Sequence, residues 1–446
     1  MSNRVFMGLV LFVTIPACCQ STIPAATGLG TTDDLGSTDQ MLTPAPVSDQ
    51  GYPTGIRSQQ RSNFLRVGIG LNTAYSDNIL GDLNANPVSD VEYSILPTIG
   101  IDKTTERQRW RLTYSPGFTF YQRTSSRNQT DQNVELDFQF RLSPHVTFNV
   151  QDVLLKTSNI FNHTDALSGE VTGTEAPVIT FIGPVADVLS NRASTELTYQ
   201  FRRNGMIGAE GTFVMRDYLK PAEVPGLYDS NSSGGSGFYS HRLSQKHYLG
   251  ARVEYTRILA YPVDAQSEVQ TTTFMLFYTL YIKPTFSISL SGGPQHYNIF
   301  QSPLPVYGSW SPTFTASTGW QGRHTTLVGG YSRLVTGGGG LVGALQSNSG
   351  SLSLRRQVEK TWNVGVASSY TNNKNVTPAT FLSSQGGHSF FGTFSVQHQV
   401  TEHFQLEFGY TRVQQTYSNI AVLARNPNTN REFINLTYQL RRPLGE

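Results

Sequence analysis

The side chains able to do chemistry in this 446-residue chain are few and scattered. None of the nine histidines sits in a His-Glu-x-x-His pair, which would put two imidazoles on one helix face for zinc. No Gly-x-Ser-x-Gly turn raises a nucleophilic serine. Gly337–Gly340 is a glycine run, but no Gly-Lys-Ser/Thr follows it, so it reads as a loop and not a phosphate cradle. His163-Thr164-Asp165 pairs an imidazole with a carboxylate, as hydrolysis would require. A solvated loop accounts for it better, and the same holds for Asp33-Asp34 in a polar leader. The only cysteines, Cys18 and Cys19, are adjacent and cannot staple a fold or complete a zinc or iron–sulfur ligand set. The expectation is a protein that is not an enzyme and carries no cofactor or metal.

Composition narrows the class. Charged residues make up 14%, below the roughly 25% of a typical soluble chain. The net charge of +2 gives no clustered cationic footprint for nucleic acid. No apolar run approaches the ~18 residues of a membrane-spanning helix. Glycine (41), phenylalanine (25) and tyrosine (21) are abundant among Ser, Thr, Asn and Gln.

The N-terminus reads as an address. Arg4 precedes the apolar stretch Val5 to Ile15, too short to span a bilayer. Cleavage near Cys19 gives a signal peptide over 1–19. The alternative is a lipobox in which Ile15 and Ala17 precede a lipidated Cys18, with Pro16 an awkward member. Residues 20–62 carry few large apolar side chains and read as a disordered periplasmic leader. The rest, 63–446, forms one domain.

In that domain the dominant period is two. Phe404, Leu406, Phe408 and Tyr410 alternate with Gln405, Glu407, Gly409 and Thr411. Val134, Leu136, Phe138 and Phe140 alternate with Glu135, Asp137, Gln139 and Arg141. Each such segment is a strand with one apolar and one polar face. About eighteen are legible, with sixteen the alternative count. Tight links such as Ser143-Pro144, Ser244-Gln245 and Lys283-Pro284 alternate with long ones such as 158–189 and 371–387. A soluble propeller or sandwich also alternates polar and apolar residues, but needs no alternation of link lengths. Short turns at one end and long loops at the other predict an all-β transmembrane antiparallel barrel in a bacterial outer membrane, with periplasmic turns and extracellular loops. Trp110, Tyr121, Tyr218, Tyr255, Tyr281, Trp310, Trp320, Tyr331, Trp362 and Tyr370 fall near strand ends, as interfacial girdles do.

With the apolar rows toward lipid, Phe138, Leu290, Phe408 and Leu436 face hydrocarbon. The polar rows then line the lumen with Arg111, Arg123, Glu135, Asp137, Arg141, Glu210, Arg216, Arg252 and Glu254, joined by Arg109, Glu196, Arg355 and Glu407. Interspersed signs predict weak ion selectivity. The long link 158–189 carries Asp165, Glu170, Glu175 and Asp187 and no Lys or Arg. It either lies on the cell surface or folds inward as a constriction against those arginines. Three functions follow: a passive conduit for polar solutes, a structural or adhesive barrel with a plugged lumen, or an outer-membrane hydrolase. The expected partners are outer-membrane lipid, lipopolysaccharide and the barrel-assembly machinery, with no nucleic acid; the oligomeric state is open.

Ala74-Tyr75-Ser76-Asp77-Asn78-Ile79, at the end of the first strand, resembles the first-strand motif of the β-barrel porin type 2 family. The stretch from Leu112, with its aromatic strand, Asn-rich link and Leu142-Ser143-Pro144 turn, is similar in style. The resemblance covers residues 64–155. It implies an outer-membrane barrel associated with exopolysaccharide synthesis and export, with polysaccharide export components as partners and no catalytic residues. The ending Tyr438 to Glu446 lacks the terminal Phe of the common assembly signal, for which Phe433, Tyr438 and Leu440 partly serve.

Overall fold

The computed structural model describes residues 63–79, 87–105, 107–157, 187–223, 226–262, 266–283, 285–301, 305–337, 343–377, 386–418 and 428–443. Signal peptide, leader and Cys18 lie outside these residues. Eighteen strands follow one another: β1 (Asn63–Ser76), β2 (Asp90–Thr104), β3 (Gln108–Tyr121), β4 (Gln129–Ser143), β5 (Val146–Thr157), β6 (Val188–Arg202), β7 (Gly205–Tyr218), β8 (Ser230–Arg242), β9 (His247–Ala260), β10 (Ser267–Lys283), β11 (Phe286–Gln301), β12 (Tyr307–Gln321), β13 (Thr325–Gly337), β14 (Ala344–Gln357), β15 (Trp362–Asn375), β16 (Gly386–Gln399), β17 (Phe404–Ser418) and β18 (Asn428–Pro443). Each pairs antiparallel with the next, and β18 closes on β1 from Phe64↔Pro443 to Ser76↔Arg431. Closure satisfies backbone groups that lipid cannot. Strands of 12 to 17 residues exceed the roughly 9–11 needed for a tilted crossing. No helix is long and apolar enough to cross a membrane among the described residues.

Period-two alternation sorts the side chains. In β10 the odd-numbered Thr271, Thr273, Met275, Phe277 and Thr279 are buried toward the barrel interior. Phe274 and Leu276 stand outward, the latter 67% exposed. The outward row contains Leu290, Phe408 and Leu436, all exposed. The inward row is held by cross-strand hydroxyl pairs: Ser94–Thr119 (2.9 Å), Thr279–Ser289 (2.8 Å) and Ser332–Ser349 (2.7 Å). Some outward positions are polar: Asp152 of β5 accepts a hydrogen bond from Asn191 Nδ2 of β6 at 2.7 Å.

Seven of the ten expected girdle aromatics are outward and exposed, led by Trp310 at 60%. Tyr121, Tyr218 and Tyr281 instead fall on inward rows, because the outward parity of β3, β7 and β10 belongs to Phe120, Asp217 and Leu280. Asn373, expected in a loop, is an inward, buried residue of β15 that donates to Tyr417 Oη (3.1 Å).

Links of two to four residues alternate with links of five to thirty around the barrel. Sidedness is therefore testable. A cysteine at the exposed Ala222, in the β7–β8 link, is expected to react with an impermeant maleimide on intact cells. One at the exposed Lys246, in the β8–β9 turn, is expected to react only after the outer membrane is opened. The reverse pattern would invert the orientation.

Candidate functional site: the barrel interior

The interior wall brings charges together in register. Glu210 of β7 and Glu254 of β9 flank Arg252, whose Nη2 lies 2.9 Å from Glu210 Oε2 and 3.3 Å from Glu254 Oε2. Ser236 of β8 donates to the same Glu210 oxygen (3.2 Å). Glu210 and Arg252 side chains are only 2% and 3% exposed. Around the β1 closure, Arg66 of β1 pairs with Asp102 of β2 (2.7 Å), and Arg431 of β18 donates through Nε to Glu92 of β2 (2.8 Å). Asn149 donates to Glu196 (3.2 Å). Arg355 donates to Gln397 (2.5 Å), whose Nε2 donates to Glu407 (3.0 Å).

Arg111 lies in register between Asp102 and Asp137. Glu135, Asp137 and Arg141 share the inward row of β4, where Glu135 accepts from Asn133 (3.4 Å). Arg216 shares the inward parity of Glu210 on β7. Arg123 is not on the wall. β3 ends at Tyr121, and Arg123 is an exposed link residue whose N–H donates to Asp90. Of the acidic link, Asp165, Glu170 and Glu175 lie outside the described residues. Asp187 forms its ion pair with Lys220 (3.1 Å) at the start of the β7–β8 link.

Sequence reading passed over two features of the wall. Glu92, Arg66, Asp102 and Arg431 were legible as inward-parity residues of β1, β2 and β18. An inward apolar cluster, Met206, Phe238, Tyr248 and Phe277, was not, since the wall was expected to be polar. Its signal was glycine: a Cβ at Gly250 would meet Phe277 Cζ at 2.1 Å, so the ring lies where only glycine leaves room. No group of three His, Cys, Asp or Glu that could hold a metal occurs among the described residues.

No protein-family model and no curated protein matches the chain. Solved structures similar to it include the ferric-catecholate import receptor Fiu of Escherichia coli (10% identity, 85% of this chain and 82% of that chain, TM-score 0.43). Others are OccK2 (OpdF) of Pseudomonas aeruginosa (10% identity, 86% and 100%, TM-score 0.42) and OpdK of Pseudomonas aeruginosa with vanillate (10% identity, 85% and 99%, TM-score 0.40). The closed eighteen-strand sheet and its outward apolar belt make this chain a bacterial outer-membrane β-barrel.

Proposed function

We propose that the barrel is a passive conduit for polar solutes, exopolysaccharide among them. The observation that supports this most is the inward wall, where hydroxyls, amides and charges of both signs recur on nearly every strand. Eighteen strands enclose a bore wider than wall side chains alone fill. Mixed signs leave little net field, so solutes are sorted by size more than by charge. The polysaccharide assignment draws on the first-strand resemblance and on a lining that offers the hydrogen bonds a sugar polymer makes. In this reading the chain enters the membrane through the barrel-assembly machinery, sits among lipid and lipopolysaccharide, and meets polysaccharide export components at its periplasmic end.

Vesicles carrying the refolded protein are expected to swell in isotonic neutral sugars, faster for mono- than for tetrasaccharides. Rates equal to those of protein-free vesicles for every sugar would overturn the proposal and favour a structural barrel.

A further inference from the structure

The wall is not one layer thick throughout. β12 pairs with β13 from Gln321↔Thr326 to Phe314↔Arg333 and no further, although β13 continues to Gly337. The sequence supplies a cause: extending the register places Pro312 opposite Val335, and proline has no N–H to give the ladder. The backbone of Val335 finds its partner in a side chain. Gln295 of β11, buried on the inward row, donates to Val335 O (2.9 Å) and accepts from Val335 N (2.7 Å). The inward Thr313 of β12 donates to Arg333 O (2.9 Å), where the two strands part.

Row parity shows where upper β13 goes. Val335 continues the outward row of Tyr331, and Ala344 of β14 continues the outward row of Leu352; lower on the barrel both rows are exposed. Val335 and Ala344 are nevertheless 1% and 0% exposed, because they pack on the inward Val269, Tyr297 and Ile299 of β10 and β11. The outer face of the β13–β14 hairpin thus rests on the inner face of the neighbouring wall, as a second layer inside the barrel. The position of the tip agrees. β9 and β13 are four places apart in the sheet, which along a single-layer wall is about 19 Å at the usual strand spacing. Yet a Cβ on Gly337 of β13 would lie 2.5 Å from Ile258 Cγ2 and 3.2 Å from Ile258 Cβ of β9.

Two further bonds fasten the returning strand. Gly343, at φ 91°, donates its N–H to Ser267 Oγ at the start of β10 (3.3 Å). Ala344 N donates to Thr377 Oγ1, just past the end of β15 (3.1 Å). Sheets stacked face to face lie about 10 Å apart, so the second layer takes about that much from the bore on its side.

We propose that the inward β13–β14 hairpin is the constriction of the lumen and sets the size limit for solutes, with Gln295 as its latch. The consequence rests on the conduit reading, whereas the seat of the hairpin does not, and the experiment reads the two apart. It uses the full chain with Cys18 and Cys19 changed to Ser. Gly337→Cys with Ile258→Cys is expected to form a disulfide on mild oxidation of the folded, inserted protein, since 3.2 Å between β-carbons is close to the roughly 3.5–4.5 Å that a disulfide spans. Replacing residues 335–346 with Asn-Gly closes the hairpin at the Leu334↔Ser347 pair and removes the inner layer. That variant is expected to raise single-channel conductance about twofold or more, and to remove most of the difference between mono- and tetrasaccharide swelling rates. Thr336→Cys, on the inward row of Ser332, keeps the hairpin whole; a bulky thiol reagent there is expected to cut the current by more than the same reagent at the inward Gln405→Cys. Cold gel mobility verifies that each variant is a folded barrel. A cysteine pair that stays reduced in folded, inserted protein would overturn the inward seat. Steps in the parent that neither the shortened hairpin nor the Thr336 label changes would overturn the constriction alone. No steps from parent or shortened chain would overturn the conduit and the constriction with it, the disulfide then reporting only the seat.

Discussion

Arg252→Met is expected to lower barrel stability by about 3–5 kcal/mol, the usual cost of removing one partner from a buried ion group. Arg252 lies between two carboxylates, 2.9 Å from Glu210 and 3.3 Å from Glu254, and its side chain is almost fully buried. Without it two like charges face each other across one strand, with the Ser236 hydroxyl still donating to Glu210. The loss belongs to the stranded carboxylates and not to the ion group as such. The triple replacement Glu210→Gln, Arg252→Met, Glu254→Gln is therefore expected to recover most of it. Urea midpoints in detergent micelles, read by the folded-barrel gel shift, compare the two. A triple variant no more stable than the single one would show that the cost lies in packing around Arg252 instead.

Leu276→Arg carries the second large effect. Leu276 is the most exposed outward apolar side chain of β10, midway along the strand, where arginine costs about 2–4 kcal/mol in a bilayer. Gln405→Arg, on the inward row at the periplasmic end of β17, is expected to cost no more than ~0.5 kcal/mol, as substitutions away from packed features do. Ser289 looks equally permissive in the sequence. It is only 1% exposed and bonds to Thr279, so the structure removes it from the tolerant set. Similar midpoints for Leu276→Arg and Gln405→Arg in lipid vesicles would contradict the assignment of faces.

The strands were legible because alternation such as Phe404 to Thr411 is set by lipid on one side and polar groups on the other, along the whole element. Their ends were less legible. β11 runs on through Tyr297 to Gln301 and β15 through Thr371 to Asn375, and in β15 the added Thr, Asn and Lys carry no apolar outward row to mark them. Arg123 was placed on the wall by carrying the parity of Arg109 and Arg111 past the end of β3, but the chain turns there onto Asp90. Parity placed Arg252 and its partners in the interior, whereas their burial depends on neighbours two strands away. The inward β13–β14 hairpin left only a local trace, Pro312, since its anchor Gln295 is forty residues from Val335 and no periodicity reports so distant a contact.

Single-channel recording from the refolded protein in a planar bilayer tests the conduit most directly. The account predicts discrete, long-lived, ohmic steps with a reversal potential near zero in a salt gradient, because inward Arg and acidic side chains cancel. Folded, inserted protein that shows no steps at any voltage would contradict it and leave a barrel whose loops, and not its lumen, do the work.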